Sequence, residues 1–177
     1  VVCPGDAVEV RLAVRAAVEL KRPVYIRLGK KGEPQVHSQV PDFTIGKGVT
    51  LEHGTDVALL SVGNMLSVAN EVSTRLRKFG ISPCLVSLHT IKPLDDALLS
   101  QLFLDCKKVV VIEEHGLAGG AGSAILEWAN AKEADASKVV CFGVKDAFLT
   151  ACGSQEEARC LLKLDADSII SSVQEYF

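Results

Sequence analysis

The stretch VALLSVGNMLSVANEVSTRLRKFG, residues 57–80, decides the fold. Val57 to Val62 is a continuous apolar run of strand length, and Gly63-Asn64 turns the chain. Met65, Val68, Ala69, Val72, Leu76 and Phe79 then recur at helical spacing, and Gly80 ends an amphipathic helix. The same strand-and-helix rhythm repeats downstream. Cys84 to Leu88 is the next strand. Pro93-Leu94-Asp95 opens a helix, with Asp95 as N-cap and Leu98, Leu99, Leu102 and Phe103 on its inner face. Lys108 to Ile112 is a strand of the fully buried type, Glu113 to Gly122 a glycine-rich turn, Ser123 to Ala131 a helix, and Val139 to Phe142 another strand. Ser154 and Glu157 form a capping box for a short helix. Asp165 or Asp167 caps the last one, whose Ile169, Ile170 and Val173 face inward.

Uniformly apolar strands need cover on both faces. Strands alternating with helices of 10–15 residues read as βαβ units. From roughly residue 44 onward the expected fold is therefore α/β, a three-layer α/β/α domain around a largely parallel twisted sheet. Upstream, residues 6–20 read as a helix capped by Asp6 with Glu9 as its capping-box partner. Val10, Ala13, Val14, Ala17 and Leu20 share one face of it. Pro23 stops it, Val24 to Leu28 reads as a short strand, and residues 29–48 as a linker. One helix and one strand cannot bury a core. Residues 1–40 must therefore complete a larger sheet or pack on the main domain.

The 177 residues are 48% apolar and carry 19 basic against 22 acidic side chains, a net charge of −3 with both signs dispersed. No basic patch for nucleic acid or an anionic membrane is visible. Aromatics at 5% are too few for a base-stacking platform. Charged residues interrupt every apolar run before it reaches membrane-spanning length. The start has no signal-peptide pattern. It also lacks Met and opens inside an apolar run, which predicts a fragment. Six cysteines at irregular spacing, with no C-x-x-C, read as reduced thiols of a cytoplasmic protein, and Cys84, Cys106 and Cys141 as small buried hydrophobes.

Ligands of open α/β sheets sit beyond the carboxyl ends of the strands. Three segments fall there: Gly63-Asn64, His89 to Pro93, and Glu113 to Gly122. The last can offer backbone N–H groups to a phosphate, yet it fits neither the dinucleotide nor the Walker pattern. Close helix–strand packing is the better reading of its glycines. His89, Glu113, Glu114 and His115 suffice in type for a metal or acid–base cluster, but contiguous residues at a strand end point in different directions. No nucleophilic-serine motif occurs, and Ser61 lies inside a strand. Arg27, Lys30 and Lys31 put three cations within five residues, enough to bind a phosphate or to form a solvated loop.

A joint pattern adds to these readings. Pro4-Gly5-Asp6-Ala7, Pro23-Val24-Tyr25-Ile26-Arg27, Gly46-Lys47-Gly48 and Asp56 to Gly63 occur in one order. His89-Thr90-Ile91-Lys92-Pro93-Leu94-Asp95, Val111-Ile112-Glu113-Glu114-His115 and Gly119-Gly120-Ala121-Gly122-Ser123-Ala124 follow. Over its whole length the chain resembles the carboxyl-terminal part of a transketolase-type, thiamine-diphosphate-dependent enzyme. Within that superfamily it is similar to transketolases. Gly153-Ser154-Gln155-Glu156-Glu157 also resembles 1-deoxyxylulose-5-phosphate synthase, and 2-oxo acid dehydrogenase beta subunits share the same domain.

The resemblance implies that residues 1–40 are the last helix and strand of a pyrimidine-binding domain with the start of a linker. Residues 41–177 are then the carboxyl-terminal domain, which serves dimer assembly and supports the active site. It implies thiamine diphosphate and magnesium in the complete enzyme. The Gly-Asp-Gly magnesium motif and the activating glutamate cannot be placed in this chain, so none of that cofactor is expected on it and no turnover by it alone. The expected partner is the upstream half of the enzyme or a separate amino-terminal subunit, in a homodimer, with no nucleic acid and no membrane. The expected reaction is transfer of a two-carbon ketol unit between sugar phosphates, the chemistry of the pentose phosphate route. A free-standing interaction domain is the alternative class. Transketolases commonly hold the sugar phosphate through an Ile-Arg-x-x-Arg pattern. Arg27 matches its first arginine and Lys30 stands at the second, keeping the charge without the bidentate fork. His89 is assigned no catalytic duty.

Overall fold

The computed structural model describes residues 1–30 and 32–177; Lys31, one of the three clustered cations, lies outside the described residues. A helix α1 (Ala7–Leu20) and an irregular segment precede a five-stranded sheet of β1 (Val49–Glu52), β2 (Val57–Val62), β3 (Pro83–Ser87), β4 (Lys108–Gly116) and β5 (Val139–Val144). Helices α2 (Leu66–Lys78), α3 (Asp96–Asp105) and α4 (Ala121–Ala131) connect the strands from β2 onward, and α5 (Gln155–Leu162) and α6 (Ala166–Gln174) close the chain. The strand order is β1-β3-β2-β4-β5. Strands β3, β2, β4 and β5 run parallel, while β1 pairs antiparallel with β3 at the edge.

Alternation within the strands builds the three layers. Ala58, Leu60 and Val62 face one side, where Leu99, Leu102 and Phe103 of α3 and Ile125 and Ala129 of α4 cover them. Val57 and Leu59 face the other, under Met65, Ala69, Val72 and Leu76 of the α2 segment and Ile169, Ile170 and Val173 of α6. The α/β/α expectation holds. Asp165 rather than Asp167 caps α6, by accepting from Ser168 N, and the Ser154–Glu157 capping box opens α5.

Several local expectations need correction. Val24 to Leu28 forms no strand: a single bridge joins Ile26 to Val2, because no extended neighbour runs alongside. Residues 49–52 do form one, pairing on the outer side of β3. Phe79 follows the end of α2 and is 59% exposed. The expected turn from Glu113 instead continues β4 to Gly116, and α4 begins at Ala121 rather than Ser123. The capping box at α1 is also altered. Asp6 caps it as expected, but Glu9 Oε2 accepts from Gly5 N, one residue upstream of the cap.

Residues 1–3 and Arg27 lie against the carboxyl ends of β3 and β4. Val2 is fully buried and bridges Ile26 and Thr90. The apolar face of α1 is only partly covered: Ala13 is buried, but Val14 is 48% and Leu20 36% exposed.

Candidate functional site

The chain passes from β2 to β3 on one side and then to β4 on the other, so the strand order reverses between β2 and β4. Open α/β sheets place ligands at such a switch point. Arg27 lies over it, donating from one guanidinium nitrogen to the Glu114 carbonyl at the end of β4, 2.9 Å away. Arg27 also divides the crevice into two pockets. One, of about 200 Å3, brings Arg27 and Lys30 together with Gly63, Asn64, Glu114 and Gln155. The other, of about 300 Å3, lies among Arg27, Val62, Lys92, Glu113 and His115. A larger cavity of about 440 Å3 sits away from the strand ends, between residues 36–41 and β1. Its charged groups are already engaged, His37 by Asp6 and Glu52 by Arg77, so the switch point is the better site.

The acid and imidazole groups singled out by sequence diverge. Glu113 is 2% exposed and turns toward α4, accepting from Ala121 N and Gly122 N at 2.8 Å each. The glycines serve this carboxylate: a Cβ on Gly120 would lie 2.6 Å from both Glu113 oxygens. The helix N-terminus that sequence offered to a phosphate is thus filled by the protein's own anion. Glu114 turns the opposite way. Its carboxylate accepts from Asn64 Nδ2, from Gln155 Nε2 at 3.0 Å, and from Arg159, 3.1 Å away and only 8% exposed. His115 is exposed, and its Nδ1 lies 3.1 Å from the Gly116 carbonyl. Among the described residues no group of three or more His, Cys, Asp or Glu is placed to hold a metal ion.

His89 belongs to the interior. It is fully buried, stacks on Phe43 with ring centroids 3.9 Å apart, and lies 2.9 Å from the Thr90 hydroxyl through Nδ1. Burial lowers its pKa, nearby His37 adds to that, and Asp95 opposes it only in part, leaving a value of about 4. The folded state therefore takes up the proton later than the unfolded chain. His89 contributes stability that is complete above its unfolded value near 6.5 and is lost as pH falls toward 4. The loss is about 1.4 kcal/mol per pH unit in that window. Glu9, raised by burial, works in the opposite direction, so the test is a difference. Urea unfolding at pH 7, 6 and 5 should show His89→Gln losing less stability on acidification than the parent; parallel losses would contradict it.

Among the thiols, Cys84 and Cys106 are buried, as expected, and burial pushes the Cys106 thiol up to about 11. Cys141 is only half-buried on β5, against expectation, because β5 is an edge strand. Cys152 and Cys160 are exposed. No helix among the described residues is long and apolar enough to cross a membrane.

Sequence reasoning singled out Arg27 and Lys30, which the fold places in one pocket, but not the side chains of Asn64, Gln155 and Arg159 beside them. Glu114 and Arg159 are 45 residues apart, and no local pattern links them.

Comparisons with known proteins agree with this fold. The 1-deoxy-D-xylulose-5-phosphate synthase of Chlorobaculum tepidum is 31% identical over 180 residues, covering 100% of this chain and 28% of the synthase. One of the subunits of the apulose-4-phosphate transketolase of Actinobacillus succinogenes is 30% identical, covering 94% of this chain and 53% of its own length. A solved split-gene transketolase, described as an inactive beta4 tetramer, superposes with a TM-score of 0.89 at 35% identity, over 98% of this chain and 56% of that one. The chain thus spans under a third of the synthase and about half of the other two. The family model "Transketolase, C-terminal domain" matches residues 46–169. That match takes in the sheet from β1 to β5 and most of the helices, and the protein belongs to the transketolase C-terminal domain family.

Proposed function

We propose that this chain is the carboxyl-terminal part of a transketolase, and that Arg27 and Lys30 hold the phosphate of a sugar phosphate during two-carbon ketol transfer. The observation that carries this reading is Arg27 fixed over the β2/β4 strand ends in one pocket with Lys30. Two cations sharing a small pocket supply charge-assisted hydrogen bonds to a phosphate. The Glu114 carbonyl fixes the guanidinium, so less side-chain entropy is lost when an anion arrives.

The likeness to a split-gene transketolase and to one subunit of the apulose-4-phosphate enzyme supports a partner in the form of an amino-terminal subunit or an upstream half. So does the apolar surface of residues 1–40: Val18 and Val40 are 73% exposed, Tyr25 65%. In this reading residues 1–40 end the pyrimidine-binding domain and residues 41–177 form the carboxyl-terminal domain. Phe148, at 97% exposure, with Leu149 and Leu161, favours burial against a second copy, hence a homodimer. Cytoplasmic residence belongs to the same reading, which the irregular cysteine spacing supports.

Two observations among the described residues speak against a seat for thiamine diphosphate and its magnesium on this chain. No three metal-ligating side chains converge, and Glu113 fills the glycine-rich helix N-terminus. Our reading puts that coenzyme on residues outside this chain.

In the enzyme reconstituted with its amino-terminal half, Lys30→Ala should raise KM for a phosphorylated substrate about tenfold, the worth of one charge-assisted hydrogen bond. It should leave kcat nearly unchanged; an unaltered KM would count against the reading. A second reading, 1-deoxy-D-xylulose-5-phosphate synthase, is favoured by relatives aligned over the whole chain. Formation of 1-deoxy-D-xylulose 5-phosphate by the reconstituted enzyme separates the two.

A further inference from the structure

The pocket holding Arg27 and Lys30 has a second wall, and all of it comes from the family domain. Asn64 follows β2, Glu114 lies near the end of β4 and Gln155 opens α5. A carboxylate beside a phosphate site is unfavourable unless something neutralises it. Arg159 does so from behind, 3.1 Å from Glu114 Oε2 and 8% exposed. The lining alone carries two cations and one anion, and Arg159 adds a third cation, so the region stays positive.

Glu114 also sets the orientation of its neighbours. Asn64 Nδ2 and Gln155 Nε2 both donate to its carboxylate. The amide oxygens of Asn64 and Gln155 are thereby left as acceptors. The dianion of a phosphate monoester, which dominates at neutral pH, has no proton to offer them, whereas a hydroxyl does. The volume points the same way. About 200 Å3 is the room of roughly seven waters at about 30 Å3 each, more than a bare phosphate needs.

We infer that Asn64, Glu114 and Gln155 form a hydroxyl-reading wall, so that the pocket selects a phosphate carried on a polyol over a phosphate on an alkyl group. This rests on the anion reading of Arg27 and Lys30. It gives the carboxyl-terminal domain a part in choosing substrate as well as in supporting the assembly.

The test titrates the 177-residue chain with methyl phosphate and with glycerol 3-phosphate, followed by amide chemical shifts. The parent should bind glycerol 3-phosphate about fivefold more tightly, the worth of one neutral hydrogen bond. Gln155 is exposed at the start of α5, so Gln155→Ala should fold. It should bring the ratio to within twofold while leaving methyl phosphate unchanged. Arg27→Ala should weaken both ligands at least tenfold. A parent ratio near one, or a ratio that survives Gln155→Ala, overturns the hydroxyl wall and leaves the anion site standing. Methyl phosphate that fails to bind, or binds equally well to Arg27→Ala, removes the anion site and the wall with it.

Discussion

Asp6→Ala is expected to destabilise the chain by about 4 kcal/mol, within the range for removing one partner of a buried charged network. The carboxylate is 2% exposed and accepts five hydrogen bonds. Oδ1 takes Val8 N and Glu9 N at 3.0 Å each and so caps α1. Oδ2 takes Val36 N, His37 N and His37 Nδ1, also at 3.0 Å each. Burial alone would push the Asp6 carboxyl up. The bonds from His37, Glu9 and Val36 outweigh it and hold the pKa below the ordinary aspartate value.

One side chain thus fastens two segments 31 residues apart. Alanine leaves buried N–H groups without acceptors, at a cost of about 1–3 kcal/mol for each one that water cannot reach. Asp6→Asn separates the two duties, since its amide oxygen can still cap α1 while its NH2 faces three donors. Urea midpoints should fall in both variants, and further in Asp6→Ala. Amide exchange at Val36 and His37 should quicken in both, while Val8 and Glu9 stay protected in Asp6→Asn. A loss of stability below about 1 kcal/mol in Asp6→Ala would show that water replaces the carboxylate and would contradict this reading.

Glu113→Ala is the second large effect, about 3 kcal/mol by the same reasoning. The carboxylate ties the end of β4 to the first turn of α4 through Ala121 N and Gly122 N. Its negative charge also faces the positive end of the helix. Removing it opens an anion seat that the parent lacks. Sulfate at tens of millimolar should therefore recover part of the lost stability in Glu113→Ala, beyond its general salting effect on the parent. Equal sulfate responses in the two proteins would rule out the internal-anion role. Gly120→Ala should be similarly damaging, because its Cβ would also meet the Gly116 carbonyl at 2.6 Å.

These two carboxylates mark the boundary of what the sequence discloses. The buried strands β2, β3 and β4 are legible because a strand covered on both faces is apolar along most of its length, as Val57–Leu60 and Val109–Ile112 are. Helix starts are legible where the cap is local, as at Asp95 and Ser154. At α4 the capping group sits eight residues upstream on a strand, so Glu113 reads as part of a turn. The edge strand β1 is only partly buried beyond Val49, which leaves no apolar run to find. Val24 to Leu28 has the opposite fault: its β-branched composition is real, but sheet pairing needs a neighbour. Arg27 and Lys30 stand out by charge and spacing. The wall facing them joins positions 64, 114 and 155, which only the folded chain brings together.

The division of labour between this chain and an amino-terminal half is tested most directly by calorimetric titration of thiamine diphosphate with magnesium. The titration is made first into this chain alone and then into the chain with its amino-terminal half. No micromolar binding to the chain alone is expected, and micromolar binding once both halves are present. Micromolar binding by residues 1–177 alone would contradict the assignment of the coenzyme to the other half.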